Sequence, residues 1–349
     1  MKRLIYLGVI VGIGVAGWIF GKPYYDLHFS TIDYSGEDKL VYVKTGSGLD
    51  DLAQMMADEG VCKKDQFLTF SEKLELTDEK VEPGKYNVSS GMKMKNLIYG
   101  FKNGNQELKD VRITFNNCKS IEEMAGKVAP YIEADSSEIM SVCNSEEVMD
   151  RYGFSDYTFI AMFLPDTYEV GEWDMDGEEF VQFMADKFKE FWEEQGVGRG
   201  TKLADLEMQQ SEVATLASIL EAEQGIHSTE WETIAGLYIN RLNKGMKLES
   251  DPTAKYCWGD ELDGVQRILT EHLKKDCPYN TYLYKGLPPG PIRMPSKKAI
   301  DAVLNAERHS YIFMCAKPDN SGLHNFAETY SQHLVNARKF WAYMDSRGS

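Results

Sequence analysis

None of the six cysteines stands in a CxxC pair, and neither they nor the six histidines fall at metal-ligand spacing. A metal centre is therefore not expected, and nothing else in the chain calls for a cofactor. Cations are also scarce: 38 Lys and Arg against 55 Asp and Glu leave a formal charge of -17, with no long basic run. That excludes a nucleic-acid partner, because such binding needs clustered cations that release counterions. The cysteines are too scattered for a disulfide scaffold, which a chain of 349 residues does not need. Outside the cytoplasm an isolated pair such as Cys257 and Cys277 could still form, and buried free thiols are equally compatible with the pattern.

The length predicts two domains plus whatever the N-terminus supplies. After Met1, Lys2 and Arg3 comes LIYLGVIVGIGVAGWIF, residues 4–20, which carries no charge and reaches bilayer-spanning length, with Trp18 and Lys22 at its far end as interface anchors. A membrane-spanning stretch is expected over 4–20, so that 1–22 make a cytoplasmic tail and transmembrane anchor. The basic residues precede it, so the tail stays in the cytoplasm and the rest lies outside. A cleaved signal peptide fits less well, since Trp18, Ile19 and Phe20 do not make a small-residue cleavage site. Gly8 and Gly12 form a GxxxG, a weak dimerisation signal in so glycine-rich a span.

A polar connector is predicted over 23–39 and a small βα-type module over 40–108. The module reads as a strand from Leu40, a helix through Leu49, Leu52, Ala53 and Met56, a second helix over 64–74, a strand through Tyr86 and Val88, and a helix closing at Gly104. It suits a spacer or a glycan-binding module. A larger domain, 110–349, opens on a strand at Val111 to Phe115, followed by helices over 120–131 and 136–150 and a loop entering a strand at 161–170. The helix over 176–194 sets Phe180, Phe183, Met184, Phe188, Phe191 and Trp192 on one face, which is core spacing. Near the end come a strand at 311–316 and a helix over 329–344 that buries Leu334, Phe340 and Trp341. Short strands and helices in this mixture give an α+β fold class.

The chemistry concentrates in SEVATLASILEAEQG, residues 211–225. Val213, Leu216, Ala217 and Leu220 recur at helical spacing, and Gly225 reads as a left-handed stop. Two carboxylates, Glu221 and Glu223, leave this helix near its end. At 100° per residue Glu223 projects beside Leu216 and beyond Ile219 and Leu220, whereas Glu221 projects beyond Ala217 and Ser218. Glu223 thus has the more apolar neighbours and sits at the negative end of the helix dipole. Both effects raise its pKa, as a general acid near neutral pH requires. A Glu in a last turn is also commonly a solvated surface residue. Downstream, Thr229 and Glu232 read as a capping box for a helix ending at Gly245, which would bring Asn240 and Arg241 toward a site that Glu223 faces. Glu249 and Asp251 take strand-like positions before a Pro turn, and residues 278–295 form a stiff Pro-Gly loop with Tyr279, Asn280 and Tyr282. Asp166 is a further carboxylate, more often a turn cap in such a position.

LASILEAEQG, INRLNKGMKLESDPT (239–253), YNTYLYKGLPPGPI (279–292) and HNFAETYSQH (324–333) resemble, in order and spacing, the YceG-like, or MltG, endolytic murein transglycosylases. The resemblance covers nearly the whole chain. It implies a membrane anchor, a LysM-like module over 40–108 and a catalytic domain over 110–349. The implied reaction is lytic cleavage of peptidoglycan glycan strands between N-acetylmuramic acid and N-acetylglucosamine, leaving a 1,6-anhydro end. The implied acid is the second Glu of the pair, Glu223. Asn240, Arg241, Asp251, Tyr279, Asn280, Tyr282 and His324 would bind substrate, although core packing explains the tyrosines and a structural role explains His324 equally well. The implied setting is the outer face of the bacterial inner membrane, near peptidoglycan synthases. The family usually has Thr or Ser after this Glu, and this chain has Gln224. A non-catalytic glycan-binding scaffold and a muramidase-type hydrolase remain open alternatives, the latter needing a second carboxylate from Asp251, Glu249 or Asp166.

Overall fold

The computed structural model describes Trp18 and residues 22–347, except 106–110, 172, 195, 263 and 266–267. Apart from Trp18, the apolar run at 4–20, with its Gly8 and Gly12, lies outside the described residues. Among those described, no helix is long and apolar enough to cross a membrane. The fold is mixed α+β, with short helices around two-stranded sheets. The chain divides into two compact units. One holds Met1–Ile113, Tyr131–Ala134 and Glu169–Asp176, and the other holds Thr114–Pro130, Asp135–Tyr168 and Gly177–Ser349.

The first unit begins with α1 (Lys22–Phe29), a helix where the sequence suggested only a connector. Strand β1 (Lys39–Val43) alternates strictly, so Val41 and Val43 are buried while Leu40 and Tyr42 face outward. Helices α2 (Leu49–Asp58) and α3 (Lys64–Lys73) follow, and then β2 (Gly84–Val88) pairs antiparallel with β1, from Lys39 opposite Val88 to Val43 opposite Gly84. Helix α4 (Met94–Asn103) ends at Gly104 in the left-handed conformation that the sequence anticipated. Leu52, Met56, Phe67, Tyr86, Val88, Leu97, Ile98 and Phe101 interlock as one core. The helix periods and strand alternation in this stretch all point inward to the same place, which is why it was readable.

Next come β3 (Val111–Phe115), α5 (Ile121–Val128), α6 (Ser136–Cys143), α7 (Glu146–Arg151) and β4 (Asp166–Val170), with β3 and β4 forming a second sheet. The single helix expected over 136–150 is two, because Ser145 starts a new one by accepting from the Val148 amide at 3.4 Å. Helix α8 (Gly177–Glu193) buries Phe180, Phe188, Phe191 and Trp192. Helix α9 (Arg199–Leu206) was not anticipated. The second unit is built on α10 (Gln210–Glu223), which packs against α11 (Trp231–Asn243), α12 (Asp251–Tyr256) and α13 (Lys297–Leu304).

Every residue of α10 from Val213 to Leu220 is buried, so it is a central helix and not the one-sided stripe its spacing suggested. Its two buried hydroxyls are satisfied locally. Thr215 donates to the Ser211 carbonyl and Ser218 to the Thr215 carbonyl, each at 2.7 Å. The helix ends one residue before the expected glycine stop, at Gln224, with φ -124°. The Thr229 capping box does not form; a short 3-10 turn, Ser228–Glu230, leads into α11 instead. Asp251 opens a helix whose next residue is Pro252, and does not lie on a strand.

Strand β5 (Phe313–Ala316) pairs antiparallel with β6 (His324–Ala327), and α14 (Tyr330–Ser346) packs on this hairpin. Trp341 is 57% exposed, contrary to its expected burial. Cys257 and Cys277 are disulfide-bonded, with Cα atoms 6.0 Å apart, while Cys62, Cys118 and Cys143 are buried free thiols and Cys315 is a partly buried one.

The Pro-Gly loop passes so close to Tyr157 that a Cβ on Gly290 would lie 1.9 Å from the Tyr157 carbonyl oxygen. Gly290→Ala is therefore expected to destabilise the second unit by about 3 kcal/mol through overpacking, read as a lower urea midpoint at unchanged slope.

Candidate active site

The end of α10 delivers two carboxylates to different surroundings. Glu221 accepts the Ser296 amide at 3.0 Å, and Ser296 is the N-cap of α13, so this carboxylate ties two helices together. Glu223 is partly buried and accepts hydrogen bonds from the Ser250 hydroxyl, at 3.0 Å, and from the Tyr238 hydroxyl. Burial pushes the Glu223 carboxyl up to about 7, and the nearby Asp251 charge adds to this, while the two hydroxyl donors pull the other way. Burial is thus the main cause, in the direction that the helical wheel gave.

Glu223 and Asp251 line both of two cavities. The larger, of about 1270 Å³, is walled by Ala222, Pro252, Lys255, Tyr256, Trp258, Ile292 and Arg293, with the start of α5 on one side. The smaller, of about 350 Å³, is walled by Tyr238, Arg241, Glu249, Tyr282, the β5 residues, His324 and His333. An acid at the junction of two cavities can reach a bond whose two substituents extend in opposite directions.

The expected substrate residues divide accordingly. Arg241, Asp251, Tyr282 and His324 meet around the smaller cavity. The Tyr282 hydroxyl donates to Asp251 at 2.5 Å, and burial followed by that carboxylate raises the phenol pKa. Arg241 is ion-paired with Glu249 and also donates to the carbonyls of Lys247 and Ile312. Its fork is therefore spent on the wall.

Asn240 and Asn280 line neither cavity. The Asn240 amide donates to the carbonyls of His309, at 2.8 Å, and Tyr311, at 3.1 Å. Fully buried Asn280 donates to the carbonyls of Leu273 and Lys275 and accepts the Tyr282 amide. Both hold loops in place, and in both positions the structure explains the residue without a ligand. Tyr279 packs at a tilt against Tyr256, ring centroids 4.6 Å apart, behind the larger cavity's wall. Asp166 pairs with Lys297 at 2.6 Å, away from the cavities that Glu223 lines.

Gln224, the departure from the resembled pattern, is buried and central to a polar cluster. Its amide donates to Glu230 at 3.0 Å and to the Gly322 carbonyl at 2.9 Å, and its side-chain oxygen accepts the His227 amide at 3.2 Å. Its backbone carbonyl accepts the Trp231 indole N–H at 2.7 Å. Glu230 in turn receives the His324 amide and sits 2.9 Å from His324 Nδ1. Burial raises the Glu230 pKa, but the bonds from His324 and Gln224 outweigh it and leave the carboxyl below its usual value. Ser250, Tyr238 and Glu230 were not anticipated as site residues. Tyr238 occupies an apolar position of its helix pattern, and nothing singled out Ser250 between Glu249 and Asp251. For Glu230 no sequence signal was present.

The family model for the YceG-like family matches residues 41–339, and the chain belongs to that family. It is 22% identical over 314 residues to a protein of Bacillus subtilis named "Endolytic murein transglycosylase", covering 86% of this chain and 84% of that one. A protein of the same name from Streptococcus pneumoniae is 23% identical over 333 residues, covering 88% of this chain and 60% of the relative. The crystal structure of a yceG-like protein from Listeria monocytogenes has the same fold, with a TM-score of 0.55 at 21% identity, over 86% of this chain and 99% of that one.

A raised carboxyl pKa has a thermodynamic sign. The folded chain keeps the Glu223 proton where the unfolded chain has lost it, so this contribution is full below about pH 4.5 and is lost as pH rises through about 7. Glu223→Gln removes the dependence. The variant and the parent are expected to show equal urea stability at pH 4, and by pH 8 the variant should be more stable by roughly 3 kcal/mol, at 1.36 kcal/mol per pH unit between 4.5 and about 7.

Proposed function

We propose that this YceG-like chain is a lytic transglycosylase that cuts within peptidoglycan glycan strands and leaves 1,6-anhydro ends, with Glu223 as its single acid and base. One observation carries the reading: a carboxyl with a pKa of about 7 stands where two cavities meet. The names of the curated relatives supply the substrate class.

The steps use one carboxyl group. Protonated Glu223 gives its proton to the glycosidic oxygen as the bond to the muramic C1 breaks and positive charge develops there. The new carboxylate then takes the proton of the muramic C6 hydroxyl, whose oxygen bonds to C1. No water enters, so the leaving sugar gains a hydrogen and the muramic end closes as the anhydro ring. The burial that holds the proton at rest gives way to favourable charge once it has left, because Ser250 and Tyr238 already point donors at the carboxylate. Arg241, Tyr282, Asp251 and His324 shape the smaller cavity for one side of the strand.

The remaining parts of the reading place the reaction. Residues 4–20 anchor the chain in the inner membrane, the module over 40–108 acts as a LysM-like spacer, and the catalytic domain over 110–349 works on the outer face near peptidoglycan synthases. A hydrolase reading is favoured by one feature, Asp251 beside Glu223, which could serve as a second carboxylate.

Mass spectrometry of products from purified glycan strands separates the two. Anhydro-ended fragments are expected, and reducing ends would instead support hydrolysis. Glu223→Gln should lower cleavage by about 10³-fold while leaving the fold intact, whereas Glu221→Gln should retain much of the activity. Equal loss from both changes would overturn the assignment.

The proton requirement also has a direction. Ser250→Ala removes a bond that favours the anion, so the alkaline limb of the rate profile should move upward from about pH 7. An unmoved limb would separate activity from the Glu223 proton.

A further inference from the structure

Arg293 lines the larger cavity, yet its charge is unmatched. Its Nε is buried without a hydrogen-bond partner, and one terminal nitrogen makes only a long contact of 3.4 Å to the Asn117 side-chain oxygen. Among the described residues, no carboxylate lies within ion-pair reach of it. Arg199 and Arg241 show the contrast, since each is partly or largely buried and each is paired with carboxylates. A half-buried guanidinium without a carboxylate is costly unless something else supplies the charge.

The position of Arg293 is fixed on both sides. The Ile292 amide donates to Ser218 of α10 at 3.0 Å, and the Met294 amide to the Cys118 carbonyl at 3.1 Å. The guanidinium is therefore set relative to the helix that carries Glu223. Around it the cavity wall is charged in both signs, with Lys119 and Lys255 against Glu122 and Asp260. With the stem attached, the muramic lactyl carboxyl is an amide, so the sugars of an intact strand are uncharged and give such a wall little to bind. The peptide stem on the muramic lactyl group carries both carboxylates and an amine.

Resting on the peptidoglycan reading above, we infer that the larger cavity receives the glycan with its peptide stem attached and that Arg293 pairs with a stem carboxylate. Arg293 is then a specificity-determining residue, distant from the bond that breaks. The planar fork suits a carboxylate, and binding one would complete the hydrogen bonding that the wall leaves undone.

The test compares intact glycan strands with the same strands stripped of peptide by an amidase, the lactyl carboxylates that stripping exposes being capped as amides. The parent enzyme is expected to show a KM at least fivefold lower on the peptide-bearing strands. Arg293→Gln should raise KM about tenfold more on peptide-bearing than on stripped strands at little-changed kcat, which matches one charge-assisted hydrogen bond. Arg293→Lys keeps the charge and should retain part of the preference, which a merely structural role would not predict. If the parent cleaves both substrates with the same KM, or if Arg293→Gln discriminates as the parent does, the inference falls while the lytic reading stands. No cleavage of either substrate by the parent would overturn the lytic reading and this inference with it.

Discussion

A carboxyl that keeps its proton near neutral pH has to be shielded from water without being given a cation, and this unit is arranged around that constraint. The shielding comes from α10. With eight consecutive residues buried from Val213 to Leu220, the helix cannot be displaced without opening the core, so its last turn is a fixed point. The partners of Glu223 are hydroxyls, from Ser250 and Tyr238, and not a lysine or arginine. Had Arg241 reached Glu223 instead of Glu249, the opposite charge would have pulled the carboxyl pKa down and emptied it of its proton.

The two carboxylates two residues apart show how little of this is decided by residue type. Glu221 meets a backbone amide at the start of α13 and becomes a brace between helices. Glu223 points toward hydroxyls and cavities. The difference is set by rotation about one helix axis, together with the termination at Gln224. A left-handed glycine cap would have ended the helix by backbone alone. Here the C-cap residue, Gln224, bonds back to the Leu220 carbonyl through its backbone amide, while its side chain inserts into a cluster with Glu230, Gly322 and His227, which ties the helix end to the β6 strand carrying His324. The floor under the acid and the wall of the smaller cavity are thus one connected structure.

Several of these features were legible in the residues. The first unit was read nearly element by element, because helix period, strand alternation and a glycine cap agreed there. At the site, the wheel gave Glu223 a raised pKa, and the fold does raise it, with burial as the largest cause. What failed were readings that required knowing partners far away in sequence. Asn240 looks like a ligand-binding amide in a linear string, but the carbonyls it holds lie 69 and 71 residues on and come alongside only in the fold. Glu230 was invisible because its partner His324 lies 94 residues away. The capping box at Thr229 lost to a 3-10 turn that places Glu230 at the helix start, facing that histidine. Periodicity reports which side of an element is buried, and it is silent on what it is buried against.

The two cavities differ in how their charges are settled, and that difference bears on recognition. In the smaller one, Arg241 is taken by Glu249, and Asp251 accepts the Tyr282 phenol. Its wall is electrostatically closed, so it can read shape and hydroxyl positions and gains little from a charged ligand. The larger cavity leaves Arg293 without a counter-charge, on a loop pinned to the same helix as the acid. Charge recognition is useful only if its geometry is tied to the reacting centre, because binding energy realised elsewhere on a loose loop does nothing to position the bond that breaks. The hydrogen bond from Ile292 to Ser218 provides that tie, about one and a half turns before Glu223 on α10. On the proposed reading, a substrate held at Arg293 is thereby held in register with the Glu223 proton.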